Sequence, residues 1–260
     1  MRWDTIRVAL QQQYGLSRSL LIYYLIPFQQ AGLRRLYRQF IRPNDLCFDI
    51  GAHVGSRVRV WLRLGARVVA VEPQPHCMQL LRRWYGHWPH VTLCEQAVGA
   101  TSGSATLWIS RHTPTVSTTS QAWQRRVQQT PGFAAVRWDT PISVPVTTLD
   151  ALIAQYGVPD FCKIDVEGAE LDVLEGLSQA LPKLSFEYLP ATIDIAVACI
   201  ERLSQLGEYE YNRTVSEWPW LRERHWLTPR AMIAKLERLP RNHAGGDIYT
   251  RLVSSRAGNP

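Results

Sequence analysis

Short apolar runs alternate with stretches of helical period along most of this chain, and that rhythm leaves few folds open. Residues 46–50 (Leu-Cys-Phe-Asp-Ile) form a run that ends at a glycine, as suits a strand buried on both faces. Residues 54–64 carry Val54, Val58, Trp61 and Leu62 at helical spacing with arginines between them. Residues 67–71 read as a second strand, 75–85 as a second helix and 91–98 as a third strand. Repeated strand–helix–strand units predict a parallel sheet with right-handed crossovers.

The rhythm pauses after a further strand at residues 104–110. Residues 111–141 are rich in Thr, Ser, Gln and Pro, have weak periodicity, and contain Trp123, Phe133 and Trp138. A segment this long inside a compact domain is usually functional or mobile, and it reads as an insertion that could cover a substrate pocket. Residues 144–147 are then extended, 149–156 helical, 160–166 a strand, 169–180 a helix, 183–189 a strand, 192–206 a helix and 208–215 a strand. Thr228-Pro229 is an N-cap and first-turn proline for a helix to residue 239. Residues 247–253 make a last strand, expected antiparallel at an edge. The expected organisation is an N-terminal helical segment at 1–43, a main domain at 44–253 with an insertion at about 111–141, and a tail at 254–260.

The 260 residues are 46% apolar and 20% charged, enough for a real core and too few charges for a disordered chain. The net charge of +7 comes from scattered arginines that form no dense tract, so it does not establish nucleic-acid binding. Five cysteines, none in a CxxC pair, predict buried thiols and a reducing, cytoplasmic setting. No signal peptide is evident. The most hydrophobic stretch, residues 20–28, is broken by Pro27 and falls far short of the ~20 apolar residues of a membrane span. It reads as a helix packed on the domain or an interfacial one.

Two features point to a nucleoside ligand. Asp49-Ile50-Gly51-Ala52-His53-Val54-Gly55 lies between a strand and a helix, where glycine permits a sharp turn and the helix start favours an anion. Glu72 ends the second strand, 21 positions after Gly51, the spacing at which a carboxylate accepts hydrogen bonds from ribose hydroxyls. The glycine spacing is not the G-x-G-x-x-G of dinucleotide enzymes, which weighs against an NAD-dependent oxidoreductase.

A third stretch, residues 160–170 (Asp-Phe-Cys-Lys-Ile-Asp-Val-Glu-Gly-Ala-Glu), gathers charge at a strand's C-terminal end, where open α/β sheets bind ligands. Lys163, Asp165 and Glu167 alternate, so a continuing strand would turn them to one side, and Lys163 could equally form a structural ion pair with either acid. Glu187 ends the next strand and is expected in the same crevice.

In this order, residues 48–52, Val71-Glu72-Pro73, Thr148-Leu149-Asp150, residues 163–170 and Gly246-Asp247-Ile248-Tyr249 resemble the FkbM family of class I methyltransferases. The resemblance covers about residues 44–253, with His53 where the family pattern has Asn. It implies a Rossmann-like α/β fold: a mostly parallel seven-stranded sheet whose last strand is antiparallel. It implies S-adenosylmethionine as cofactor and transfer of methyl to oxygen on a small molecule or carbohydrate. On that reading Asp49, Gly51, Ala52, His53, Gly55, Glu72, Gln96, Ala97 and Asp165 bind the cofactor. Asp165, then Glu187, then Glu167 are the candidates for a base. A metal-free site is favoured, although carboxylates here could instead hold Mg2+. A nucleic-acid methyltransferase and a non-catalytic nucleoside-binding module are the weighed alternatives, and a homodimer is left open.

Overall fold

The computed structural model describes residues 29–216, 218–241 and 243–253. The apolar stretch at 20–28, most of the N-terminal segment and the tail at 254–260 lie outside the described residues.

The helices are α1 (Gln29–Tyr37), α2 (Ser56–Arg63), α3 (Pro75–Tyr85), α4 (Gln121–Val127), α5 (Leu149–Tyr156), α6 (Glu170–Glu175), α7 (Ile193–Leu206) and α8 (Pro229–Leu236). The strands are β1 (Leu46–Ile50), β2 (Arg67–Val71), β3 (Val91–Cys94), β4 (Ala97–Val98), β5 (Gly103–Ile109), β6 (Thr140–Thr147), β7 (Phe161–Ile164), β8 (Lys183–Tyr188), β9 (Tyr209–Arg213) and β10 (Gly246–Leu252). Local signals fix many boundaries. The Thr148 hydroxyl caps α5 by accepting from the Ala151 amide, and Thr228, followed by Pro229, caps α8 in the same way. The turn before β1 closes through the Arg42 amide on Asp45 Oδ2, with Asn44 left-handed at φ +70°.

Seven strands form one sheet in the order β3-β2-β1-β7-β8-β10-β9. The pairs from β3 to β8 are parallel, and β10 is antiparallel to both β8 and β9. The last strand is therefore antiparallel as expected, but it inserts between β8 and β9 instead of forming the edge. The chain builds outward from β1 to β3, then crosses to the other side of β1 with β7. That reversal opens a crevice at the C-terminal ends of β1 and β7, where such sheets bind ligands.

The run at 91–98 is not one strand. After Cys94 the chain leaves the main sheet, and β4 joins β6 and β5 in a three-stranded sheet in the order β4-β6-β5. The helix expected at 169–180 is shorter, ending at Glu175. Within 111–141 the structure adds a 3-10 turn at Pro114–Val116 and the helix α4.

Alternation along the strands divides the core. Phe48, Ile50, Cys162, Ile164, Leu184, Phe186 and Ile248 pack with residues of α5 to α8. Cys47, Val68, Ala70, Phe161 and Tyr249 pack with α1, α2 and α3 on the other face. By register, Asp49, Lys163, Ser185 and Tyr249 stand side by side on four adjacent strands, on the α1 face. An aromatic group lies beneath them: Phe161 is 5.5–5.7 Å from the rings of Tyr37, Phe40 and Trp61. Phe161 is fully buried, so Phe161→Ala should cost about 3–5 kcal/mol through lost burial and an unfilled cavity. The check is a lower urea midpoint with an unchanged slope.

Candidate active site

Strand ends and tight turns assemble the site. The turn after β1 runs through Gly51, His53 and Gly55 with φ of +84°, +47° and +75°. At Gly51 the constraint is severe, because a Cβ would lie 1.9 Å from the Asp165 carbonyl oxygen. This glycine serves the approach of the β1 turn to the β7 turn, so a valine there would displace backbone as well as any ligand. Gly55 faces the other way, where a Cβ would meet Leu81 and Tyr85 at 2.7 Å, and it packs α2 on α3.

Glu72 is buried at the end of β2. Its Oε2 accepts from the His53 amide and its Oε1 from the Gln74 amide, both at 2.8 Å. Burial pushes its carboxyl up to about 7, against the charge-favouring pull of those amides. Gln74 extends the connection, donating to the Pro114 carbonyl and accepting from Ser117 in the inserted segment. The same burial lowers His53 to about 4, with Asp165 opposing.

Two adjoining pockets meet here. One, of about 540 Å³, is lined by Gly51, His53, Glu72, Gln96 and Ala97, by Thr115 and Ser117–Thr119 of the insertion, and by Asp165 and Glu167. The other, of about 450 Å³, is lined by Asp49, Ala52, Ser56, Arg57 and Lys163 and shares Gly51, His53, Thr115, Asp165 and Glu167 with the first. Asp49 Oδ2 in the second pocket is buried without a hydrogen-bond partner in the protein. Burial raises that carboxyl to about 6, opposed by Lys163 and Arg57.

Lys163 is 1% exposed and reaches the rim. Its Nζ donates to Asp165 Oδ2 at 2.6 Å and lies 3.6 Å from Asp247 Oδ1. Burial works to lower the ammonium pKa, but Asp165 and Asp247 outweigh it and hold the group well above its ordinary value. Desolvation likewise works to raise Asp165, and the Lys163 charge overrides it and keeps the carboxyl below its ordinary value. β7 ends at Ile164, so Glu167 does not continue the strand's alternation; it turns back with φ +55°. Carboxylate oxygens of Asp165, Glu167 and Glu187 nonetheless lie within 4.8 Å of one another, close enough to share a divalent cation. Burial, reinforced by the neighbouring acids, raises Glu167 and Glu187 well above the ordinary carboxylate range.

The structure thus gathers the predicted residues at the crevice, except Gly55, which packs behind it. Arg57, Gln74, Thr118 and Asp247 are added. Asp247 lay in the last motif of the resemblance, and Gln74 two residues beyond Glu72; nothing local in the sequence marked Thr118.

Residues 49–205 match the model of the methyltransferase FkbM domain, so this chain belongs to the FkbM methyltransferase family. It is a methyltransferase that uses S-adenosylmethionine, and the nucleic-acid and non-catalytic readings are not favoured. The chain is 28% identical over 168 residues to the 2-O-methyltransferase NoeI of Sinorhizobium fredii, spanning 59% of this chain and 68% of that one. Among solved structures it is similar to a precorrin-6y C5,15-methyltransferase of Geobacter metallireducens (TM-score 0.46, 13% identity, 86% of this chain and 87% of that one). It is also similar to a TehB-like methyltransferase of Corynebacterium glutamicum (TM-score 0.46, 11% identity, 94% and 99%). Among the described residues no helix is long and apolar enough to cross a membrane.

The raised carboxyl of Glu72 gives a prediction with a definite sign. In the free protein this group keeps its proton until about 7, whereas the ordinary value is 4.5. Its contribution to stability is therefore present below 4.5 and lost as pH rises through about 7. A ligand that donates to the ionised carboxylate binds more tightly as pH rises through the same window. Calorimetry should show S-adenosylmethionine affinity increasing across it, and Glu72→Gln should flatten that dependence.

Proposed function

We propose that this enzyme methylates a hydroxyl oxygen on a small-molecule or carbohydrate acceptor, with the carboxyl cluster at the ends of β7 and β8 receiving the hydroxyl proton. The name of the NoeI relative supports oxygen as the acceptor atom. The observation that carries the reading is the cluster itself: three carboxylates within 4.8 Å, one held ionised by Lys163 and two pushed toward the protonated form.

S-adenosylmethionine supplies an electrophilic methyl on a cationic sulfur. In our reading Glu72 accepts from the ribose hydroxyls at the first pocket, beside Gln96 and Ala97. Asp49, which lines the second pocket and whose buried Oδ2 has no partner in the protein, takes the ammonium of the methionine end, near the Gly51–His53 turn. The reacting centre then falls where the pockets join, beside Asp165 and Glu167.

The enzyme's task there is to align the acceptor oxygen and remove its proton. Asp165 is engaged at 2.6 Å by Lys163 and held acidic, which makes it a weak base and a good fixed counter-charge. Glu187 and Glu167 are the stronger bases once ionised. A positive charge bound nearby favours their ionised form, so a base appears when the donor is in place. This reverses the preference for Asp165 drawn from the strand alone. Lys163 already neutralises part of the cluster, and the proposed transfer is metal-free. The domain division and the coverage of the pocket by residues 111–141 belong to this same reading.

Methyl transfer should be assayed over a panel of sugar glycosides bearing free hydroxyls. Glu187→Gln should slow transfer by ~10²–10⁴-fold with little change in cofactor affinity. Near-normal rates in both Glu187→Gln and Glu167→Gln would remove the base and leave alignment alone. Inactivation by EDTA, reversed by Mg2+, would replace it with a metal.

A further inference from the structure

The turn after β7 adopts a conformation its own sequence disfavours. Glu167 and Gly168 have φ of +55° and +90°. A glutamate there is strained, and persists only where its surroundings over-determine it. A continuing strand would carry Glu167 roughly 6–7 Å beyond Asp165 along its axis. The turn instead brings the two carboxylates within 4.8 Å.

The insertion grips this turn at two points. Thr118 Oγ1 donates to the Glu167 carbonyl at 2.6 Å, and the same oxygen accepts from the Ser120 amide at 2.9 Å. Thr118 is itself fixed by reciprocal backbone bonds to Trp108. Trp123 lies over Gly168 so closely that a Cβ on the glycine would be 2.1 Å from the indole. Phe133 and Trp138 brace the indole from behind, edge to face. The Glu170 carboxylate also accepts from the Val166 and Gly168 amides.

We propose that Thr118 and Trp123 are positioning residues for Glu167, holding its backbone in the left-handed turn that delivers its carboxylate to Asp165 and Glu187. The purpose of that placement rests on the reading of the cluster as proton acceptor; the placement itself does not. Residues 111–141 then do more than line a pocket: through Thr118 and Trp123 they fix one member of the reacting group.

The charged groups around Glu167 are Asp165, Glu170, Glu187 and Lys163, so its titration reports whether it stays among them. Protein carrying 13C-labelled glutamate, titrated by NMR with Glu167→Gln to assign the signal, needs no acceptor. In the unsubstituted protein Glu167 should titrate well above the ordinary range. Thr118→Val and Trp123→Ala should return it toward that range by about one pH unit or more, as it leaves its acidic neighbours. Thr118→Ser, which keeps the hydroxyl, should restore it. An unchanged Glu167 titration in Thr118→Val overturns the proposal, whether or not Trp123→Ala folds. If Thr118→Val shifts the titration while Glu167→Gln transfers methyl at the normal rate, the positioning stands and the role of Glu167 in proton removal falls.

Discussion

Lys163 is the group on which the site depends. Moving an ammonium out of water costs several kcal/mol unless it is well paired. Here the partners come from the turn after β7 and from β10, with the small Ser185 of β8 between them in the register. That arrangement gives the sheet order a purpose. An antiparallel strand starts where its parallel neighbours end, so Asp247, second residue of β10, stands at the ligand-binding rim. A parallel strand in the same place would have put its first residues at the far edge of the sheet.

Around this fixed positive charge the acids take different states. Asp165 is held acidic because the lysine faces it, while burial and the neighbouring acids push the half-buried Glu167 and Glu187 toward the protonated form. Environments that push neighbouring carboxyls apart are how one site holds both an acid and a base. Glu72, at the end of β2, is also raised by burial, yet two backbone amides already favour its charged form. The free site is therefore short of positive charge, which suits a cationic donor.

The switch between β1 and β7 is narrow for a steric reason. Gly51 has no side chain to hold the Asp165 carbonyl away, so the two turns touch and both pockets open over their junction. Residues Thr115 and Ser117–Thr119 of the insertion add short polar side chains to the lining. Its Trp123 packs on Gly168 as tightly as the turns pack on each other, and Arg126 ties α4 to Asp194 at the start of α7.

What the sequence determined alone was whatever short-range chemistry controls: the strand and helix periods, the Thr148 and Thr228 caps, the Asn44 turn, and the order of the charged strand ends. The glycine turn, Glu72 and the Lys163–Glu170 stretch were legible because each places its chemistry within a few residues of one strand end. Tertiary structure decided the rest. It broke residues 91–98 between two sheets, since an apolar run does not specify which strand it pairs with. It put β10 inside the sheet, a choice made by pairing with β8 and β9 across long stretches of chain. It set Thr118 on the Glu167 carbonyl and Trp123 over Gly168, contacts that span 49 and 45 residues of sequence. And it set the three acids apart from one another, because a pKa depends on burial and on the nearest charge, and neither exists until the chain has folded.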